Sequence, residues 1–169
     1  MGARREGSRQ RVGQNAPVRV SAKVDYALRA AIELAALEDE WPVKGERLAS
    51  GQGIPLRFME NILGELRQAG VVQSKRGAEG GYMLARPPAE IALADVIRAV
   101  DGPLANIGGL RPDQLSYDGT AAPLKDIWIA VRAALRSVLE TTTLADVAGG
   151  QLPAEVTQAT ADPDAWAWR

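Results

Sequence analysis

The chain has 169 residues, 46% of them hydrophobic and 5% aromatic, which suits a single core built mainly from helices. Cysteine and histidine are both absent, and this excludes disulfides, thiol nucleophiles, thiolate-held metals and every catalytic arrangement that uses imidazole. The formal charge of −1 conceals a split: residues 1–88 carry 14 basic against 10 acidic side chains, +4, and residues 89–169 carry 6 against 11, −5, so the front half is the one suited to a polyanion.

Residues 1–18 hold Arg4, Arg5, Arg9 and Arg11 among Gly, Ser, Gln and Pro without apolar periodicity. They read as a disordered basic arm. No apolar h-region follows these arginines and no run of 18 apolar residues occurs anywhere, so neither a signal peptide nor a membrane span is expected, and the expected location is cytoplasmic. Ser21 then has the chemistry of an N-cap. Val24, Leu28, Ala31 and Ala35, with Ala27 and Leu34 beside them, make one apolar face of a helix that the segment 38–42 breaks. A short helix follows over about 45–50, then a Gly-Gln-Gly turn. Pro55 opens the next helix, where a missing N–H is harmless. In it Phe58, Ile62 and Leu66, with Met59 and Leu63, are the expected buried face. Arg57, Glu60, Asn61, Gly64 and Glu65 are the expected outer face. Gly70 ends that helix.

Residues 71–74 and 82–85 are strand-like, and Gly77, Gly80 and Gly81 turn the chain between them. The order is helix, helix, turn, helix, hairpin: a helix-turn-helix over about 45–68 with a wing over 71–86, within a DNA-binding domain over 19–88. Ile91, Val96, Ile97 and Val100 predict one more short helix, ending near Gly102. The span 103–122 reads as a long loop. Pro123 opens a further helix in which Leu124, Trp128, Val131, Leu135 and Val138 are spaced 4, 3, 4 and 3. That spacing fits a dimer seam and packing on the same chain equally well. Residues 89–147 thus read as a linker helix, a loop and a long helix whose seam is open to either reading, with one more helical turn at 144–147. The tail over 148–169 is expected to be loose. The fold class is mainly α with a small β-hairpin: a winged helix-turn-helix domain and a long C-terminal helix, a dimerisation helix if the seam joins two subunits.

These segments resemble, in order and spacing, the Rrf2 family of bacterial transcription regulators. The resemblance covers about residues 19–147. Its carriers are VSAKVDYALR (20–29), Leu48-Ala49 with Gly51 to Pro55, FMENIL (58–63) with Leu66-Arg67, AGVV (69–72), RGAEGGY (76–82), LARPP (84–88) and DVIRAVDG (95–102). The wing sequence is the most specific of them. It is no phosphate-binding loop, because the Lys-Ser/Thr pair of such loops is missing.

The resemblance implies a homodimer whose long C-terminal helices cross, a Pro55 helix in the major groove and a wing in the minor groove of double-stranded DNA. It assigns DNA contacts to Arg19, Ser21 and Lys23 at the first helix, to Pro55, Arg57 and Glu60 on the recognition helix, and to Arg76 and Ala78 on the wing. The family often has proline where Ala78 stands. Chemistry adds detail. Arg57 can bind guanine in bidentate fashion, Glu60 can accept from cytosine, and Asn61 shares their face. Arg57 and Glu60 can equally form an exposed i, i+3 ion pair. Arg76 beside Gly77 suits a narrow minor groove, and Lys75 suits a phosphate.

Sensory members of the family hold an iron–sulfur cluster with cysteines between the helix that carries Asp95 and the dimer helix that Pro123 opens. This chain has none, and such clusters rest on thiolates. No cluster, metal or other cofactor is expected, and no catalytic residue. The expected function is a sequence-specific regulator, acting as a repressor from a pseudo-palindromic operator. Leu110, Leu115, Tyr117 and Trp128 either line a pocket for a small effector near the seam or simply fill the core. The alternative is an interaction module with weak or no DNA binding of its own, controlled by a metabolite or by a protein docking on the acidic half, with Trp166 and Trp168 as anchors.

Overall fold

The computed structural model describes residues 20–107 and 109–167. The basic arm, Arg19 and Trp168 lie outside the described residues. α1 (Ala22–Ala36) starts where Ser21 accepts a hydrogen bond from the Val24 N–H at 3.2 Å. α2 (Gly45–Gln52) ends on Gly53, whose φ of 62° is the left-handed value glycine favours. α3 (Leu56–Gln68) begins immediately after Pro55. β1 (Val72–Lys75) and β2 (Gly81–Leu84) pair antiparallel from Val72↔Leu84 to Lys75↔Gly81. α4 (Leu93–Asp101), α5 (Leu124–Leu139), α6 (Leu144–Ala148) and α7 (Ala154–Ala161) follow.

The centre is α1. Ala27, Ala30, Ala31 and Leu34 are completely buried, and the run of alanines lets neighbouring elements approach closely. α2, α3, α4, α6 and β2 all touch α1. Leu48, Met59, Leu63, Leu66, Leu84, Ile91 and Val96 fill the space between them. α6 completes this core from far along the chain. Leu144 is fully buried, its N–H donates to the Ile91 carbonyl at 2.9 Å, and the Leu93 N–H donates to the Thr142 carbonyl at 2.9 Å. A reciprocal cap holds α6: the Thr143 N–H donates to Asp146 at 2.7 Å, and the Asp146 N–H donates to the Thr143 hydroxyl at 3.2 Å. These bonds hold the Asp146 carboxyl below its ordinary range, the Thr143 backbone N–H first and the Thr143 hydroxyl second.

Two expectations change. The tail is not uniformly loose, since α7 and a 3-10 turn over Pro163–Trp166 occupy it, joined by a Trp166 Nε1 hydrogen bond to the Thr160 carbonyl at 2.7 Å. Phe58 does not belong to the buried face of α3. It is 59% exposed, while Met59, Ile62, Leu63 and Leu66 are buried. The spacing of 58, 62 and 66 is helical, but the buried arc centres on Met59, Leu63 and Leu66, and Phe58 falls at its edge.

Candidate DNA interface

The turn between α2 and α3 is locked onto α1. Arg29 Nε donates to Gln52 Oε1 at 3.1 Å and a second guanidinium nitrogen donates to the Gln52 carbonyl, while Gln52 Nε2 donates to Glu33 at 2.6 Å. Ile54 is buried, and its N–H donates to the Ala49 carbonyl at 2.9 Å. The direction of α3 is thereby fixed by one buried side chain and a polar clamp.

The face α3 turns outward carries Arg57, Phe58, Glu60 and Asn61, all exposed. Among the described residues Arg57 and Glu60 take part in no ion pair, with each other or with any partner, so the exposed i, i+3 pair does not form. Pro55 is exposed at the head of the helix. At the start of α1, Lys23 pairs at 2.8 Å with Glu65, toward the C-terminal end of α3, and Ser21 spends its hydroxyl on the α1 cap.

The wing is held by backbone that the local sequence pattern does not announce. Val43, just before α2, exchanges two hydrogen bonds with Tyr82, both 2.8 Å. A Cβ on Gly81 would lie 2.5 Å from the Val43 carbonyl oxygen, so this approach demands glycine. Lys44 Nζ donates to the Ala78 carbonyl and ties the wing tip to the start of α2. Lys75, Arg76 and Ala78 are exposed, and Lys75 and Arg76 join no ion pair among the described residues. Between wing and α3 lies an open cleft of about 330 Å³, lined by Lys44, Glu46, Glu60, Ser74, Lys75 and Arg76 among others. Three cations face two carboxylates there, so the cleft favours anions. Lys44 went unnoticed in the sequence because the strand bridge that brings it to the wing is a long-range contact.

α5 behaves differently from the core helices. It has 16 residues and none is buried. Trp128, Val131 and Leu135 are half-buried, and α5 packs against the 3-10 turn Pro112–Gln114, with Arg132 paired to Asp113 at 2.9 Å. Ile127 is 56% exposed, Val138 39% and Leu124 37%, and Ala130 and Ala134 lie open between them. In the loop, Leu115 is buried, Tyr117 half-buried and Leu110 exposed. The Trp128 indole N–H is buried without a hydrogen-bond partner among the described residues.

A three-helix unit whose third helix turns a polar face outward, with a glycine-turned hairpin beside it, defines a winged helix-turn-helix protein. A profile of the Rrf2 family, described as an iron-dependent transcriptional regulator, matches residues 20–150. The Mycobacterium tuberculosis (strain ATCC 25618 / H37Rv) protein Rv1287 is 52% identical over 141 residues, covering 83% of this chain and 88% of that protein. The solved structure of CymR, the global cysteine regulator of Bacillus subtilis, superposes with a TM-score of 0.67 at 34% identity, covering 78% of this chain and 97% of CymR. That of T. potens IscR gives 0.62 at 32% identity, covering 89% and 93%. The chain belongs to the Rrf2 family. It is a DNA-binding transcription regulator and not an enzyme.

The iron in the family's description does not fit the donors present. The sequence supplies neither thiolate nor imidazole, and among the described residues no three Asp or Glu side chains gather as a metal site. Among the described residues no helix is long and apolar enough to cross a membrane.

Proposed function

We propose that the protein is a cytoplasmic, homodimeric repressor that recognises a pseudo-palindromic operator without an iron–sulfur cluster. The observation that carries this reading is the set of exposed, hydrogen-bond-competent side chains on α3, Arg57, Glu60 and Asn61, which among the described residues join no ion pair, beside a wing whose Arg76 and Lys75 join none there either. Arg57 reads guanine, Glu60 accepts from cytosine, Asn61 faces adenine, and Arg76 enters the adjacent minor groove. Lys75, Lys23 and the backbone at Pro55 and Ala78 set the register on phosphates. Ser21 acts there only through its cap, and Arg19 belongs to the same contact set.

The second subunit is supported by α5. A 16-residue helix with no buried residue and an open stripe of Leu124, Ile127, Ala130, Ala134 and Val138 is half of an interface. Trp128, Val131 and Leu135 back that stripe against the loop. On this reading the recognition elements span 19–88, the linker and dimer helix 89–147 and the tail the rest, while α4 and α6 pack into the same core as α1. Leu110, Leu115, Tyr117 and Trp128 differ widely in exposure, which favours a packing role over an effector pocket.

Selection from randomised duplexes tests the reading. The expected result is an enriched inverted repeat, bound with a steep dependence on salt. Enrichment of nothing, with a flat salt response, would overturn it in favour of a partner-controlled adaptor.

A further inference from the structure

We propose that Phe58 is a specificity residue whose ring reads the 5-methyl group of a thymine in the major groove, an inference that rests on the assignment of α3 as the DNA-reading helix. Phe58 is the single phenylalanine of the chain, and it stands 59% exposed in the first turn of α3. The core does not need it there, because Met59, Ile62, Leu63 and Leu66 already cover the buried side of the helix. Its neighbour Leu56 is also 39% exposed, so the leading turn presents an apolar edge beside the polar row of Arg57, Glu60 and Asn61.

The leading turn of a recognition helix is the part that meets base edges. Phe58 has no polar atom, so it can neither donate to a phosphate nor read a hydrogen-bonding edge. The thymine methyl is the apolar group a base pair presents in the major groove. Asn61 stands at i+3 on the same side of the helix, and its amide matches the N6 and N7 of adenine. The two side chains together therefore favour A·T pairs at the part of each half-site that the head of α3 reaches. A row of polar contacts alone reads hydrogen bonds. An aromatic ring beside it adds discrimination between thymine and cytosine, and between thymine and uracil.

The duplex enriched in the randomised selection provides the probe. Each thymine of one half-site is replaced in turn by deoxyuridine, which deletes the methyl and leaves the hydrogen-bonding edge unchanged. For the wild type, one position is expected to weaken binding by about fourfold, the effect of burying one methyl-sized apolar group. Phe58→Ala is expected to ignore that replacement, and Phe58→Leu to keep part of the response. Since Phe58 is exposed, both variants are expected to fold and to keep the wild-type salt slope. Identical uracil profiles for wild type and Phe58→Ala would overturn the proposal, as would a wild-type profile with no methyl-sensitive thymine. Absence of any enriched duplex would overturn the DNA-reading assignment of α3 and the proposal with it.

Discussion

Arg57 and Glu60 sit three residues apart on an exposed helical face, a spacing at which opposite charges ordinarily pair, yet among the described residues neither joins an ion pair. On the proposed reading neither guanidinium nor carboxylate has such a pair to break before meeting a base edge. Arg57→Ala and Glu60→Ala are each expected to lose ~1–3 kcal/mol of discrimination at one base pair, measured by competition between the enriched duplex and single-base variants. Lys75→Ala should weaken all duplexes alike and lower the salt slope by about 1. Lys44 distinguishes two roles in a similar way. If its work is to hold the Ala78 carbonyl, Lys44→Met alters preference in the minor-groove flank while Lys44→Arg preserves it. A fall of about one unit in salt slope without change of preference would make Lys44 a phosphate contact instead.

At the scale of elements, α5 invites two measurements. Ile127 is more exposed than Leu135, so Ile127→Asp is the cleaner probe of the second-subunit surface. It should yield monomers in sedimentation while leaving the circular dichroism of the single chain intact, because the carboxylate enters only the interface. A wild type that is already monomeric at micromolar concentration would refute the dimer. The C-terminal end of α5 is pinned by Glu140, which pairs with Arg98 of α4 and with Arg136 at 3.0 Å. Arg98 first, then Arg136, holds the Glu140 carboxyl below its ordinary 4.5. A carboxyl depressed in the folded state contributes stability above its unfolded value and loses it as pH falls through the folded one. The difference in Tm between wild type and Glu140→Gln should thus be open at neutral pH, persist down to about 4.5, and close below it. Much at this scale was legible from residue spacing. Ser21 announced α1, Gly53 and Pro55 announced the corner before α3, and the glycines at 77, 80 and 81 announced the wing. What spacing cannot show is which side of an edge residue faces outward, and Phe58 is the example. Its period agrees with Ile62 and Leu66, and only the packing of α1, α2, α4 and β1 around α3 decides that it falls outside the core. The Val43–Tyr82 pairing and the Lys44 tether escaped for the same reason, being contacts between residues far apart in the sequence, 34 positions for Lys44 and Ala78.

For the whole molecule, two copies of α3 related by a two-fold axis require half-site centres about one helical turn apart, or a multiple of it, on one face of the duplex. Hydroxyl-radical footprinting is expected to show two protected patches with that phase, and a single asymmetric patch would count against it. Anaerobic purification is expected to give a colourless protein, since no thiolate is available to hold iron–sulfur. A brown preparation with stoichiometric iron would refute that. The position of Leu144 bears on a different matter, the separability of the parts. Residues that follow α5 in the sequence plug the same core that α1 organises. A fragment ending at Gly102 would therefore lack a fully buried leucine and the two backbone hydrogen bonds that seat it. A cut within the loop at 103–122, by contrast, would leave two pieces still gripping each other. The head of this regulator is not a cassette to be lifted out before its stalk: the smallest portable unit runs on through Ala148, and any chimera that joins it elsewhere inherits a hole.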